Sequence, residues 1–139
     1  MIKFIITGNP ISSKNSIRSG ITKQGRNYTY TKKDVKDYRD SALIELRSQK
    51  AKMYYENWFI EQHKDLHLPI DTFVQVSFIF HCIDNRKRDL INLIQCPADL
   101  LQQAGIILND YLIISLDGSR IAGVDKLNPR CEITIEVLQ

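Results

Sequence analysis

Residues 84–93 read DNRKRDLINL. Three cations, Arg86, Lys87 and Arg88, run straight into a carboxylate, Asp89, and an amide, Asn92, follows three residues later. Cations can hold a phosphate, and carboxylates can hold a hard metal ion, which prefers oxygen donors. Together they could form a site in which cations hold a phosphate while carboxylates hold a metal. The same residues also fit a plainer role. A basic run alone reads as a solvated turn, and Asp is a preferred helix cap whose charge suits a helix N-terminus. Capping and metal binding at Asp89 are compatible. Asp110 alone reads as a turn residue after Asn109, and Asp99 as a structural or solvated helix residue.

A second concentration of charge lies nearer the N-terminus. Between Lys14 and Arg39 there are eight Lys/Arg and two acids, Asp34 and Asp37. Lys14, Asn15, Arg18, Lys23 and Arg26 fall in a polar stretch rich in Gly and Ser. Such density suits contact with a DNA backbone, with an affinity that falls as salt rises. Tyr28 and Tyr30 have faces on which bases could stack, though packing on a sheet is the favoured reading. His63 and His67 stand four apart, as in some zinc sites, but no Glu follows His63 and no third ligand is in view. They read as surface residues.

These residues must be positioned by one ordinary domain. The chain has 139 residues, 43% hydrophobic and 25% charged, which implies a packed core rather than disorder. The net charge of +3 permits an anionic partner without requiring one. Cys82, Cys96 and Cys131 are far apart and form no C-x-x-C pair, which points to reduced thiols and a cytoplasmic setting. No apolar run approaches the ~20 residues of a membrane span.

The periodicities predict an α/β fold, a mixed β-sheet with two main helices packed on it. Ile2 to Thr7 reads as a strand closed by Gly8-Asn9-Pro10. Residues 11–27 read as a long polar loop, with Tyr28 to Tyr30 as a short strand. Thr31-Lys32-Lys33-Asp34 resembles a capping box, and Val35, Tyr38, Ala42 and Leu46 mark one face of a helix from about Lys32 to Ser48. Met53 to Ile60 reads as helical, and Trp58, Phe59 and Ile60 as core or dimer contacts. Thr72 to Cys82 alternates as a strand, and Asn92 to Ala104 is a helix ended by Gly105. Pro97 inside it predicts a kink or a late start. Tyr111 to Leu116 and Cys131 to Val137 are further strands. The 72–116 strand, helix and strand form a crossover unit. Such a unit sets the end of its first strand and the start of its second at opposite ends of the sheet, so spacing alone does not bring Asp89 and Asp110 together.

The run NRKRDLINLIQCPADLLQQAGIILND resembles the core motif of the RusA family of Holliday junction resolvases. GNPISSKN resembles that family's N-terminal loop, YRD at 38–40 its first helix, and PRCEITIEV its last strand. The similarity spans most of the chain as a single RusA-like domain (1–139), with about 49–68 as a longer connection than usual. The resemblance implies Mg²⁺-dependent phosphodiester hydrolysis (Mn²⁺ as a substitute) by a homodimer acting on branched DNA, the four-way junction. It implies metal ligation by Asp89 and Asp110, with Asp99 as an accessory acid. It favours phosphate contact by Arg86, Lys87 and Arg88, and with the loop residues Lys14, Asn15, Arg18 and Arg26 and with Asn92 and Gln95 these make up the expected DNA-binding set. The chain departs from the pattern at Ile91, where the family has its second motif acid, and at Gln95, where it has a lysine. Isoleucine cannot ligate a metal. The resemblance thus leaves two outcomes: a junction endonuclease, or a junction-binding protein of the same fold with impaired catalysis.

Overall fold

The computed structural model describes residues 1–12, 17–56 and 61–138. Its elements are β1 (Ile2–Thr7), β2 (Ile17–Ile21), β3 (Asn27–Thr31), α1 (Lys33–Met53), β4 (Val74–Cys82) and α2 (Leu90–Gln103), then a 3₁₀ turn (Asp110–Leu112), β5 (Ile113–Ser115), β6 (Arg120–Val124) and β7 (Arg130–Val137). The mixed sheet with two packed helices is the expected class.

β7 is central. It pairs antiparallel with β1, from Ile2↔Ile135 to Thr7↔Arg130, and with β4, from Val74↔Val137 to His81↔Arg130. The far edge of β4 carries two short parallel strands end to end, β5 beside Val74 and Gln75 and β6 beside Ile79 to Cys82. The chain therefore passes from β4 through α2 to a parallel neighbour, as the crossover reading requires. Side chains alternate across a strand, so one sheet face collects Phe4, Ile6, Val76, Phe78, Phe80, Ile133 and Ile135. Ala42 and Leu46 of α1 and Leu93, Cys96, Leu100 and Leu101 of α2 bury against them. Each large apolar side chain so buried contributes about 1.5–3 kcal/mol.

β1 lies at a sheet edge, and α1 covers it. The Gln49 amide accepts from Ile5 N (2.8 Å) and donates to Ile5 O (2.7 Å), while Glu45 accepts from Thr7 N (3.1 Å). These bonds occupy backbone groups that would otherwise invite another strand.

Several details differ from the sequence reading. The capping box does not form: Lys32 is the N-cap of α1 and makes no side-chain cap bond. Asp34 instead accepts from the neighbouring Val35 N. Part of the 11–27 loop is a hairpin, β2 paired with β3 from Ile17↔Thr31 to Ile21↔Asn27. The strand expected over 111–116 is shortened by the 3₁₀ turn, and β6 adds a strand that periodicity did not show. α1 runs five residues past Ser48, to Met53. The expected 53–60 helix does not continue there: Tyr54 and Tyr55 form a turn and Glu56 is irregular, while residues 57–60, with Trp58, Phe59 and Ile60, lie outside the described residues. α2 starts at Leu90, ahead of the expected Asn92, so Pro97 does not delay it; the proline is buried within the helix. Gly105 ends α2 at φ 72°, a left-handed position that favours glycine. Among the described residues no helix is long and apolar enough to cross a membrane.

Candidate functional site

The basic turn is a closed structure. Arg88 donates to the Asp84 carboxylate (2.7 Å), to Asp84 O (3.0 Å) and to Arg86 O (3.1 Å). Its guanidinium and the Arg86 backbone N–H hold the Asp84 carboxyl below the usual carboxylate range. Arg88 is thus committed to shaping the turn. Arg86, also within 3.4 Å of Asp84, and Lys87 remain exposed. The N-terminal loop ties onto this turn, because Asn9 Oδ1 accepts from Ile83 N (2.9 Å).

Asp89 is the N-cap of α2. Its Oδ1 accepts from Ile91 N (3.0 Å) and Asn92 N (3.5 Å), satisfying N–H groups that a helix start leaves without partners. The cap uses one carboxylate oxygen, and Oδ2 stays open to a second role. Asp89 faces a cleft shared with Pro10, Ser12, Lys87, Arg88 and Asn92. Two motif segments far apart in sequence, the GNPIS loop and the basic turn, form its walls.

Asp110 belongs to a separate groove between α2 and β5. Ile91, Gln95, Asp99 and Arg39 line it with Asp110. Asn109 sets the local backbone by accepting from Tyr111 N (3.2 Å), and Gln102 Oε1 accepts from Asp110 N (3.1 Å). The Asp110 carboxylate itself is exposed. Asp99 is not open in the same way: its Oδ2 accepts from Arg39 and from Gln103 (3.0 Å).

The fold therefore brings Asp99, Asp110, Gln95 and Ile91 to one groove and places Asp89, Lys87, Arg88 and Asn92 at a separate cleft. Ile91, two residues from Asp89, is 70% exposed. Among the described residues no three His, Cys, Asp or Glu lie together as a metal cage. A hydrated Mg²⁺ needs less, since it keeps several waters and is held by one or two carboxylates plus substrate phosphate. Asp89 and Asp110 each offer a carboxylate, and they line separate pockets that share no residue. Arg18 and Arg26 lie on or beside the β2–β3 hairpin, away from the core, while Lys14 and Asn15 lie outside the described residues.

Sequence reasoning missed Arg39 as a groove residue, and Pro10 and Ser12 as cleft walls. Arg39 carried a signal only as part of YRD; its Asp99 partner is sixty residues away. Gln102 carried none.

A family model described as endodeoxyribonuclease RusA matches residues 8–136. No curated protein matches the chain.

Proposed function

The chain belongs to the RusA endodeoxyribonuclease family, and we propose that it hydrolyses phosphodiester bonds at four-way DNA junctions, as a homodimer with Mg²⁺ or Mn²⁺. The observation that supports this most is the extent of the match, which takes in the N-terminal loop, the basic turn, α2 and the last strand together. A two-fold dimer suits a junction of near two-fold symmetry and two paired cuts.

In this reading Asp89, through Oδ2, and Asp110 hold the metal. Asp99 joins them only by exchanging Arg39. When bound, the ion would lower the pKa of a ligated water and offset charge on the scissile phosphate. Arg86 and Lys87 engage the DNA backbone beside the cleft, and Arg88 keeps the turn in shape for them. Asn92 and Gln95 supply neutral hydrogen-bonding groups along α2. Lys14, Asn15, Arg18 and Arg26 extend the contact from the N-terminal segment. These contacts confer salt-sensitive affinity.

A second reading is a protein that binds junctions and cuts them poorly. The exposed Ile91 favours it, because an apolar side chain lines the groove where a further carboxylate would add charge. The deciding experiment incubates the protein with a labelled four-way junction at two salt concentrations, with Mg²⁺ or with EDTA. Paired nicks that vanish in EDTA support the nuclease. A salt-sensitive shift without nicks supports the binder, and no shift at low salt removes both.

A further inference from the structure

The β2–β3 hairpin forms a two-stranded sheet of its own and does not join the five-stranded one. Residues 17–33 carry five Lys/Arg (Arg18, Lys23, Arg26, Lys32 and Lys33) and no Asp or Glu. The register sets Arg18 opposite Tyr30 and Gly20 opposite Tyr28. Because side chains alternate, these four residues share one face. Tyr28 and Tyr30 are each 48% exposed, so they do not pack on the main sheet as the sequence suggested. Their ring centroids lie 5.9 Å apart with a 34° tilt. Tyr28 lies over Gly20 so closely that a Cβ there would sit 2.5 Å from the Tyr28 ring. Glycine is what lets this ring lie down along the ribbon.

Two neighbouring aromatic faces within an acid-free, cationic segment complement one kind of partner: flat bases on a polyanionic backbone. Bases paired and stacked in a duplex present only their edges. Bases with an accessible face occur where strands exchange. We propose that the Tyr28–Tyr30 face of the hairpin is a stacking platform for unstacked bases at the branch point of junction DNA, with Arg18 and the tip cations Lys23 and Arg26 gripping the adjoining phosphates. The inference rests on the junction-DNA reading above and adds to it the site that distinguishes branched from linear DNA. An isolated hairpin is marginally stable in water, so DNA seated on this face would also order the ribbon.

The test uses the full chain in EDTA, which removes cleavage from the measurement. A four-way junction carries 2-aminopurine at the branch point, and a linear duplex of matching length serves as control. Wild type should change the 2-aminopurine fluorescence on binding. Tyr28→Ala/Tyr30→Ala should abolish that change and weaken junction binding about 10-fold or more, the worth of a base–aromatic stack, with duplex binding changed less than about 2-fold. Tyr28→Phe/Tyr30→Phe keeps the rings and should behave as wild type. Should the alanine pair disturb the hairpin itself, Gly20→Ala, which displaces the Tyr28 ring, gives the independent reading and should again lower junction affinity selectively. Wild-type junction affinity in both the alanine pair and Gly20→Ala, or an equal loss on junction and duplex, overturns the platform while leaving junction binding intact. Absence of any DNA binding by wild type at low salt overturns the junction reading and the platform with it.

Discussion

Replacing Ile91 by aspartate probes the groove most sharply. Ile91 is the second residue of α2, 70% exposed and lining the same groove as Asp110. Little packing is lost, and a carboxylate in the first turn of a helix contributes about 0.3–1 kcal/mol against the helix dipole. Ile91→Asp should therefore fold at least as stably as wild type. Its effect on metal follows from Coulomb's law. Two unit charges about 4 Å apart interact with about 1 kcal/mol in water, so a divalent ion gains about 2 kcal/mol from one added carboxylate. That corresponds to about 30-fold tighter Mg²⁺ binding. The assay is the initial rate of junction cleavage against Mg²⁺ concentration. Below saturation the variant should cut up to about 30-fold faster, with its half-maximal Mg²⁺ shifted down by a similar factor. A folded variant with an unchanged Mg²⁺ dependence would refute the placement of the ion beside Ile91.

Other changes separate structural from chemical roles. Asp89→Ala removes the α2 cap and should cost about 1 kcal/mol in denaturant unfolding; Asp89→Asn keeps a good capping oxygen and most of that stability, yet should lose Mg²⁺-dependent cleavage. Asp84→Asn tests the turn by pH. The folded-state pKa of Asp84 is depressed by Arg88, so its contribution is present above the unfolded carboxylate value near 4 and is lost as pH falls through the lower folded value. The stability gap between wild type and Asp84→Asn should be constant from pH 5 to 7 and close below about pH 4; a gap that widens in acid would be the wrong sign. Leu100, fully buried between α2 and the sheet, should cost about 2–5 kcal/mol as Leu100→Ala, read by chemical denaturation.

How much of this was legible in the sequence depended on the core. β4 and β7 bury one face each, so their period of two stands out, and α1 shows the same legibility through Val35, Ala42 and Leu46. The β2–β3 hairpin buries almost nothing, so its strands leave no apolar alternation. Its signal was local: a Tyr-Thr-Tyr-Thr run after a glycine turn, with Gly25 at φ 79°. β6 hides for a related reason, being exposed at every position and containing a glycine. At the site, the cap role of Asp89 was readable because caps are local. The Arg39–Asp99 pair and the joining of Asn9 to Ile83 were not, since both link segments that only the fold brings together. The resemblance supplied Asp110, and the fold sets it in a different pocket from Asp89.

The most direct measurement is single-turnover cleavage of a four-way junction by wild type and Asp110→Asn side by side, with junction affinity measured on the same samples. Asp110 is exposed, so the variant should fold and bind as wild type does. The account predicts paired, Mg²⁺-dependent nicks from wild type and their loss, at unchanged affinity, in Asp110→Asn. Equal cleavage by the two proteins, or intact binding with no cleavage by wild type at any Mg²⁺ concentration, would contradict it.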